Sequence, residues 1–202
     1  MDLSEPTRSV SPTLHLAVLA ALARIERPLS GRGVARLLEG KASQRGVADA
    51  LNHLALHGLV IREDHPPSAS FRLNRDHIAS GIADLLGGLR DSLRRRCADE
   101  IQSWDDKPEW AALFGSFVRG EGGPHSDIDL ALVVADALEV HGEPWEAQID
   151  QMANRIQAWT GNPASIVTFR RSEFLKRADP LITEISREGV TVSGRHPART
   201  NP

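Results

Sequence analysis

Phe114-Gly115-Ser116-Phe117-Val118-Arg119-Gly120, with Ser126-Asp127-Ile128-Asp129-Leu130 a short way downstream, decides the fold of this chain. Leu113 and Phe114 close a short apolar run that reads as a strand, and Gly-Ser turns the chain into a helix. A Gly-Ser entering a helix offers backbone N–H groups, a hydroxyl and the positive end of the helix dipole, a combination suited to phosphate. Residues 126–134 read as a second strand, because Ile128, Leu130, Leu132, Val133 and Val134 are apolar and Gly122-Gly123-Pro124 precedes them. Residues two apart in a strand share a face, so Asp127 and Asp129 are expected side by side at the mouth of a sheet. Two such carboxylates repel each other unless a cation lies between them, and hard oxygen ligands suit Mg²⁺.

Gly-Ser-x-x-Arg-Gly followed by Ser-Asp-Ile-Asp-Leu resembles the signature of the DNA polymerase β-like nucleotidyltransferases. Within that superfamily the small minimal nucleotidyltransferases of prokaryotes are the nearest pattern, and the resemblance covers roughly residues 108–194. It implies attack by a hydroxyl on the α-phosphate of a nucleoside triphosphate, with pyrophosphate leaving and two Mg²⁺ ions assisting. Carried onto this sequence, Gly115 and Ser116 would hold the triphosphate, and Asp127 and Asp129 would ligate metal and carry catalysis. Arg119 would either neutralise phosphate or pair with the acidic strand, while His125 reads as a loop residue. The family usually has a third carboxylate on a strand that here reads Ala164-Ser-Ile-Val-Thr-Phe169. Ser165 or Thr168 stands in its place, with Glu173 and Asp136 the nearby acids. Strand alternation turns Ser165 toward the acidic pair and Thr168 away from it.

The 202 residues suffice for two small domains, and 41% hydrophobic with 25% charged residues is ordinary for a globular protein. Aromatics make up 4% and Tyr is absent, which argues against a single-strand stacking platform. The net charge of −3 hides an asymmetry. Residues 1–75 carry ten Lys/Arg against seven Asp/Glu, and the remainder carries fourteen against twenty. A basic front half permits a nucleic-acid surface there. Cys97 is the one cysteine, so an internal disulfide is excluded and a cytoplasmic setting is expected. The sequence offers neither an apolar run long enough for a membrane span nor a signal pattern at its start.

Residues 1–10 are polar and are expected to fray. Ser11-Pro12-Thr13 starts a helix through Leu14, Val18, Leu22 and Ile25. Ser30 caps a second, closed by Gly40, and Ser43 caps a third with Val47, Ala50, Leu51 and Leu54 on one stripe. Strands at 59–62 and 70–73 follow, around a Pro-rich loop at 64–69. Three helices and a hairpin, with Ala50-Leu51-Asn52-His53-Leu54 leading to His57-Gly58-Leu59-Val60, resemble the winged helix-turn-helix of bacterial transcriptional regulators. That resemblance implies that the start of the third helix enters the major groove of duplex DNA. Ser43, Gln44 and Arg45 would reach bases, with Asn52 or His53 further along, while Arg62, Arg72 and Arg75 would hold phosphates. Winged helices also serve as protein–protein modules.

Four segments result: a winged helix-turn-helix domain at 1–75, a helical linker at 76–107, a nucleotidyltransferase domain at 108–194 and a disordered tail at 195–202. The fold class is two-domain α/β (α+β), with a mixed sheet in the second domain and helices on one side of it. In the linker Ile78, Ile82, Leu85, Leu89, Leu93, Ile101 and Trp104 fall near one helical stripe, able to pack on either domain or on a second copy in a homodimer. The Arg94-Arg95-Arg96 run reads as a solvated face. Three functions fit: a transferase acting on RNA, protein or a small molecule; a transcriptional regulator whose degenerate transferase domain senses nucleotide; and an interaction module such as one half of a toxin–antitoxin pair.

Overall fold

The computed structural model describes residues 1–38, 41–140 and 142–198, and divides the chain into two units, Glu5–Arg90 and Met1–Ser4 with the chain from Asp91 onward. The expected closing turn at Gly40 and the last four residues of the expected disordered tail lie outside the described residues.

In the first unit, helices α1 (Leu14–Ala23), α2 (Gly31–Leu37) and α3 (Gln44–Leu56) enclose a core of Val18, Leu22, Val34, Val47, Leu51 and Phe71. Ser30 and Ser43 accept hydrogen bonds from Gly33 N and Gly46 N, each at 3.1 Å, so each hydroxyl satisfies an amide that the helix cannot. Strands β2 (Val60–His65) and β3 (Ser68–Leu73) form a hairpin that runs further than expected, turning at Pro66-Pro67 with no Pro-rich loop beyond it. A short strand, β1 (Leu29–Ser30), pairs with β3 and gives the antiparallel order β1-β3-β2. Two residues carry too little pattern for sequence reasoning to find. Helix α4 (Ser80–Gly87) lies against α1 through Ala83.

The second unit is built on the mixed sheet β6-β5-β4-β7. Its strands are β4 (Trp110–Phe114), β5 (Ile128–Val134), β6 (Ala164–Arg170) and β7 (Val190–Gly194). β5 and β6 run parallel, while β4 is antiparallel to both β5 and β7. Helices cover both faces, which corrects the expectation of helices on one side. Against one face α5 (Leu89–Gln102) and α7 (Glu143–Thr160) bury Leu93, Cys97, Ile101, Trp145, Met152 and Ile156 with Leu113, Leu130 and Leu132. Against the other, α8 (Arg171–Lys176) and α9 (Pro180–Glu188) bury Phe174, Ile182 and Ile185 with Trp110, Ala112, Ala131, Val133 and Phe169. The unbroken apolar runs Trp110–Phe114 and Leu130–Val134 carry the reason: a strand buried on both faces has no polar alternation.

Three smaller expectations also change. The linker stripe is broken at Gly88, and Ile78, Ile82 and Leu85 are exposed while Leu93, Cys97 and Ile101 are buried. The sequence of residues 172–187 predicts one final helix kinked at Pro180; the structure has two, separated where Arg177 takes a left-handed φ of 48°, with Pro180 opening the second. Residues 1–10 do not fray: Leu3 is fully buried in the core of the second unit, and Pro6–Ser9 form a 3-10 turn.

The loop from Gly120 to β5 is pegged from beneath. Asn162, fully buried, donates through Nδ2 to the carbonyls of Ser126 at 2.9 Å, Pro124 at 3.3 Å and Gly123 at 3.4 Å. Ser4 N donates to Gly122 O at 3.0 Å from the other direction. Replacing Asn162 by Ala leaves these carbonyls without their buried donor. It should destabilise this unit by about 2–3 kcal/mol, read as a lower urea midpoint with unchanged slope.

Candidate functional site

Phe114, the last residue of β4, sits opposite Asp129 in the antiparallel register. The next residue, Gly115, takes φ +68 and opens the short helix α6 (Gly115–Arg119). A Cβ at this position would collide with the Asp129 carboxylate, so the turn requires glycine twice over, for its backbone angle and for its lack of a side chain. Ser116 follows, and Gly122 returns over it, close to both the Ser116 and the Ser126 hydroxyls. The loop therefore folds back on the motif's two serines.

Asp129 stands in β5, and Asp127 lies exposed one residue before the strand begins. Burial pushes the Asp129 carboxyl up to about 6; the Asp127 charge adds to the rise, Arg119 opposes it, and Glu184 raises it further. The two aspartates are thus electrostatically coupled. Among the described residues no group of three or more His, Cys, Asp or Glu is arranged to hold a metal ion. Two carboxylates fit Mg²⁺ nonetheless, since that ion keeps several waters and completes its octahedron with substrate phosphates.

Arg119 is the other charge of the site. Its Nε donates to Glu121 Oε2 at 3.0 Å, and its Nη1 to Glu184 Oε1 at 2.9 Å and Glu188 Oε1 at 2.5 Å. These hydrogen bonds, with Glu121 first and Glu184 next, hold the guanidinium firmly protonated. Of the two readings of Arg119, the ion pair is the one formed, but its partners lie on α9 and the loop. Glu188 Oε1 also accepts from Gly115 N at 3.1 Å. Neither Glu184 nor Glu188 was singled out by motif reasoning. Their spacing of four on one helix face was the available signal, and nothing in the chain says that this face meets Arg119.

Ser165 is the register partner of Asp129 on the parallel neighbour β6. Val167 and Phe169 share its face and pack toward α8 and α9, whereas Ala164 and Ile166 pack against the opposite core. Thr168 pairs with Leu132 on that opposite face. Asp136 and Glu173 stand beyond the far ends of β5 and β6, roughly 20 Å along the strands from Asp129 at about 3.3 Å per residue. Asp136 is engaged there by Ser172 N at 3.0 Å.

In the first unit Gln44 and Arg45 are exposed in the first turn of α3, while the Ser43 hydroxyl is spent on its cap. Arg62 pairs with Asp64 and donates to Asn52 Oδ1 at 2.9 Å, Arg72 lies 3.6 Å from Glu63, and Arg75 pairs with Asp84.

Residues 98–196 match the family described as polymerase beta, nucleotidyltransferase, a stretch that contains every strand of the second unit's sheet. Two solved structures are similar over 50% of this chain and 73% of their own. One is a mutant of the toxin–antitoxin MntA-HpeT, at 17% identity and a TM-score of 0.37; the other is a toxin–antitoxin with AMP-PNP, at 20% and 0.34. Comparison with curated proteins gives no significant match. No helix among the described residues is long and apolar enough to cross a membrane.

The raised Asp129 has a consequence for stability. A carboxyl lifted from 3.8 to about 6 on folding contributes stability that is complete below pH 3.8 and lost as pH rises through 6. At pH 8 the charged form is therefore a cost. Asp129→Asn should stabilise the protein there by about 1 kcal/mol after allowance for solvent screening. In thermal melts the gain should fade between pH 7 and pH 4.

Proposed function

We propose that the nucleotidyltransferase-like segment binds a nucleoside triphosphate together with Mg²⁺, and that its chemistry is transfer of a nucleoside monophosphate to a hydroxyl acceptor. The observation that carries this reading is the convergence of Gly115, Ser116, Asp127 and Asp129 where β4 ends and β5 begins, within a stretch that matches the family. Gly115 and Ser116 hold the triphosphate, Arg119 adds positive charge beside it, and Asp127 and Asp129 hold the cation. When bound, Mg²⁺ supplies charge neutralisation for the entering and leaving oxygens. The acceptor oxygen forms a bond to the α-phosphorus as the bond to pyrophosphate breaks, and the hydroxyl proton leaves to a carboxylate or water. RNA, protein and small-molecule acceptors all satisfy this scheme.

A second reading is favoured by Ser165, which stands beside Asp129 where the family's pattern puts a third acid. A hydroxyl is a weak metal ligand and a poor proton acceptor, so nucleotide is bound but transferred slowly. In that case the chain is a regulator: the first unit works as a winged helix on duplex DNA, and the nucleotide is its signal. The exposed Gln44 and Arg45 support this reading, whereas Arg62 and Arg72 must exchange their carboxylates for phosphate. The setting we assign is cytoplasmic.

Titration of the full chain with each of the four nucleoside triphosphates should show binding that requires a divalent cation. Asp127→Asn with Asp129→Asn should abolish it without unfolding the protein; equal binding by this double variant would refute the site. Pyrophosphate release separates the two readings, being slow in the native protein and faster in Ser165→Asp if the third acid is what is missing.

DNA binding is tested by gel shift on duplexes drawn from the DNA upstream of its own gene. Affinity should fall steeply with salt, and Arg45→Ala should weaken any sequence preference. Absence of a shift at about 50 mM salt, where the phosphate contribution is strong, would make the first unit a protein–protein module.

A further inference from the structure

We infer that Glu188 is an internal stand-in for phosphate, and that polyphosphate enters the site by exchange with this carboxylate. The inference rests on the nucleotide-binding reading above and adds how that binding is controlled. One oxygen, Glu188 Oε1, takes both the Gly115 N–H at 3.1 Å and the Arg119 Nη1 at 2.5 Å. These are the amide and the cation that the proposed site offers to a phosphate oxygen. A carboxylate and a phosphate ask for the same donors in similar geometry, so they compete for one place.

Position makes Glu188 the inner member of the group. Its side chain is 14% exposed, against 36% for Glu184 and 65% for Glu121, so its charge is the least screened of the three acids around Arg119. A polyphosphate arriving with Glu188 in place would meet a like charge at the amide it needs. The backbone of Glu188 has little room to retreat. Gly189 N is bonded to Ile185 O at 2.8 Å, and Val190 already pairs with Leu113 in the sheet. The exchange is therefore a rotation of the side chain, and Glu184, one turn earlier on α9, keeps Arg119 paired while it happens. The bound form carries the cost of freeing Glu188, which lowers the apparent affinity by the fraction of molecules with the site open.

Glu188→Gln keeps an oxygen for Gly115 and removes the charge. In calorimetry of the 202-residue chain with inorganic tripolyphosphate, and with AMP-PNP plus Mg²⁺, this variant should bind about tenfold more tightly than the native chain. In the native protein the Gly115 amide resonance should shift as tripolyphosphate is added, a measurement that does not depend on the variant folding. Binding that is equal or weaker in Glu188→Gln, or a Gly115 amide that stays put while the native protein binds, would overturn the exchange and leave the nucleotide reading intact. Failure of either protein to bind tripolyphosphate or AMP-PNP would remove that reading and this inference together.

Discussion

The register that sets Phe114 opposite Asp129 is the constraint on which the site depends. It brings the turn after β4 onto the carboxylate so closely that only a glycine fits between them. Shifting the pairing by one residue would turn Asp129 into the core that Leu130 and Leu132 now fill, and would move those leucines to the opposite face in place of Ala131 and Val133. Carrying the Asp129 carboxylate into an apolar core, with leucine and alanine exchanged between two packed faces, opposes that slip. The position of the two aspartates at the start of an inner strand is thus enforced by the packing of the apolar residues that follow them.

Much of this was legible because local pattern and global fold agree. Ser30 and Ser43 announce their helices through caps that the structure forms, and Gly-Ser does turn the end of a strand into a helix, while the expected strand from 126 begins only at Ile128 and leaves Asp127 just outside it. Alternation also set Ser165 and Thr168 on opposite faces of their strand, but the parallel pairing of Ser165 with Asp129 came only with the structure. Long-range encounters were not legible. Leu3 reads as part of a polar leader, yet it is buried with α5 and α7. Glu184 and Glu188 belong to no motif, yet they clasp Arg119. Both depend on which surface a segment docks against, and nothing within the segment itself records that.

Arg119 shows how one cation can organise acids that would otherwise repel. Glu121, Glu184 and Glu188 come from a loop and a helix separated by more than sixty residues. Each Arg–carboxylate pair near the surface contributes little, but a planar fork with several partners fixes directions that single pairs leave loose. The same group lowers the charge cost of Asp129 next door. One arginine thus both ties the loop to α9 and bears on the charge of Asp129.

Asn162 is followed by Pro163, and that order has a chemical consequence. Asparagine ages by attack of the next residue's backbone nitrogen on its side-chain amide, which converts it to an acid. Proline has no N–H to mount that attack. The peg beneath the Gly123–Ser126 carbonyls is therefore shielded from deamidation by its own neighbour. An aspartate there would face a row of carbonyl oxygens with its negative charge, and would push the loop that leads into Asp127 off its seat.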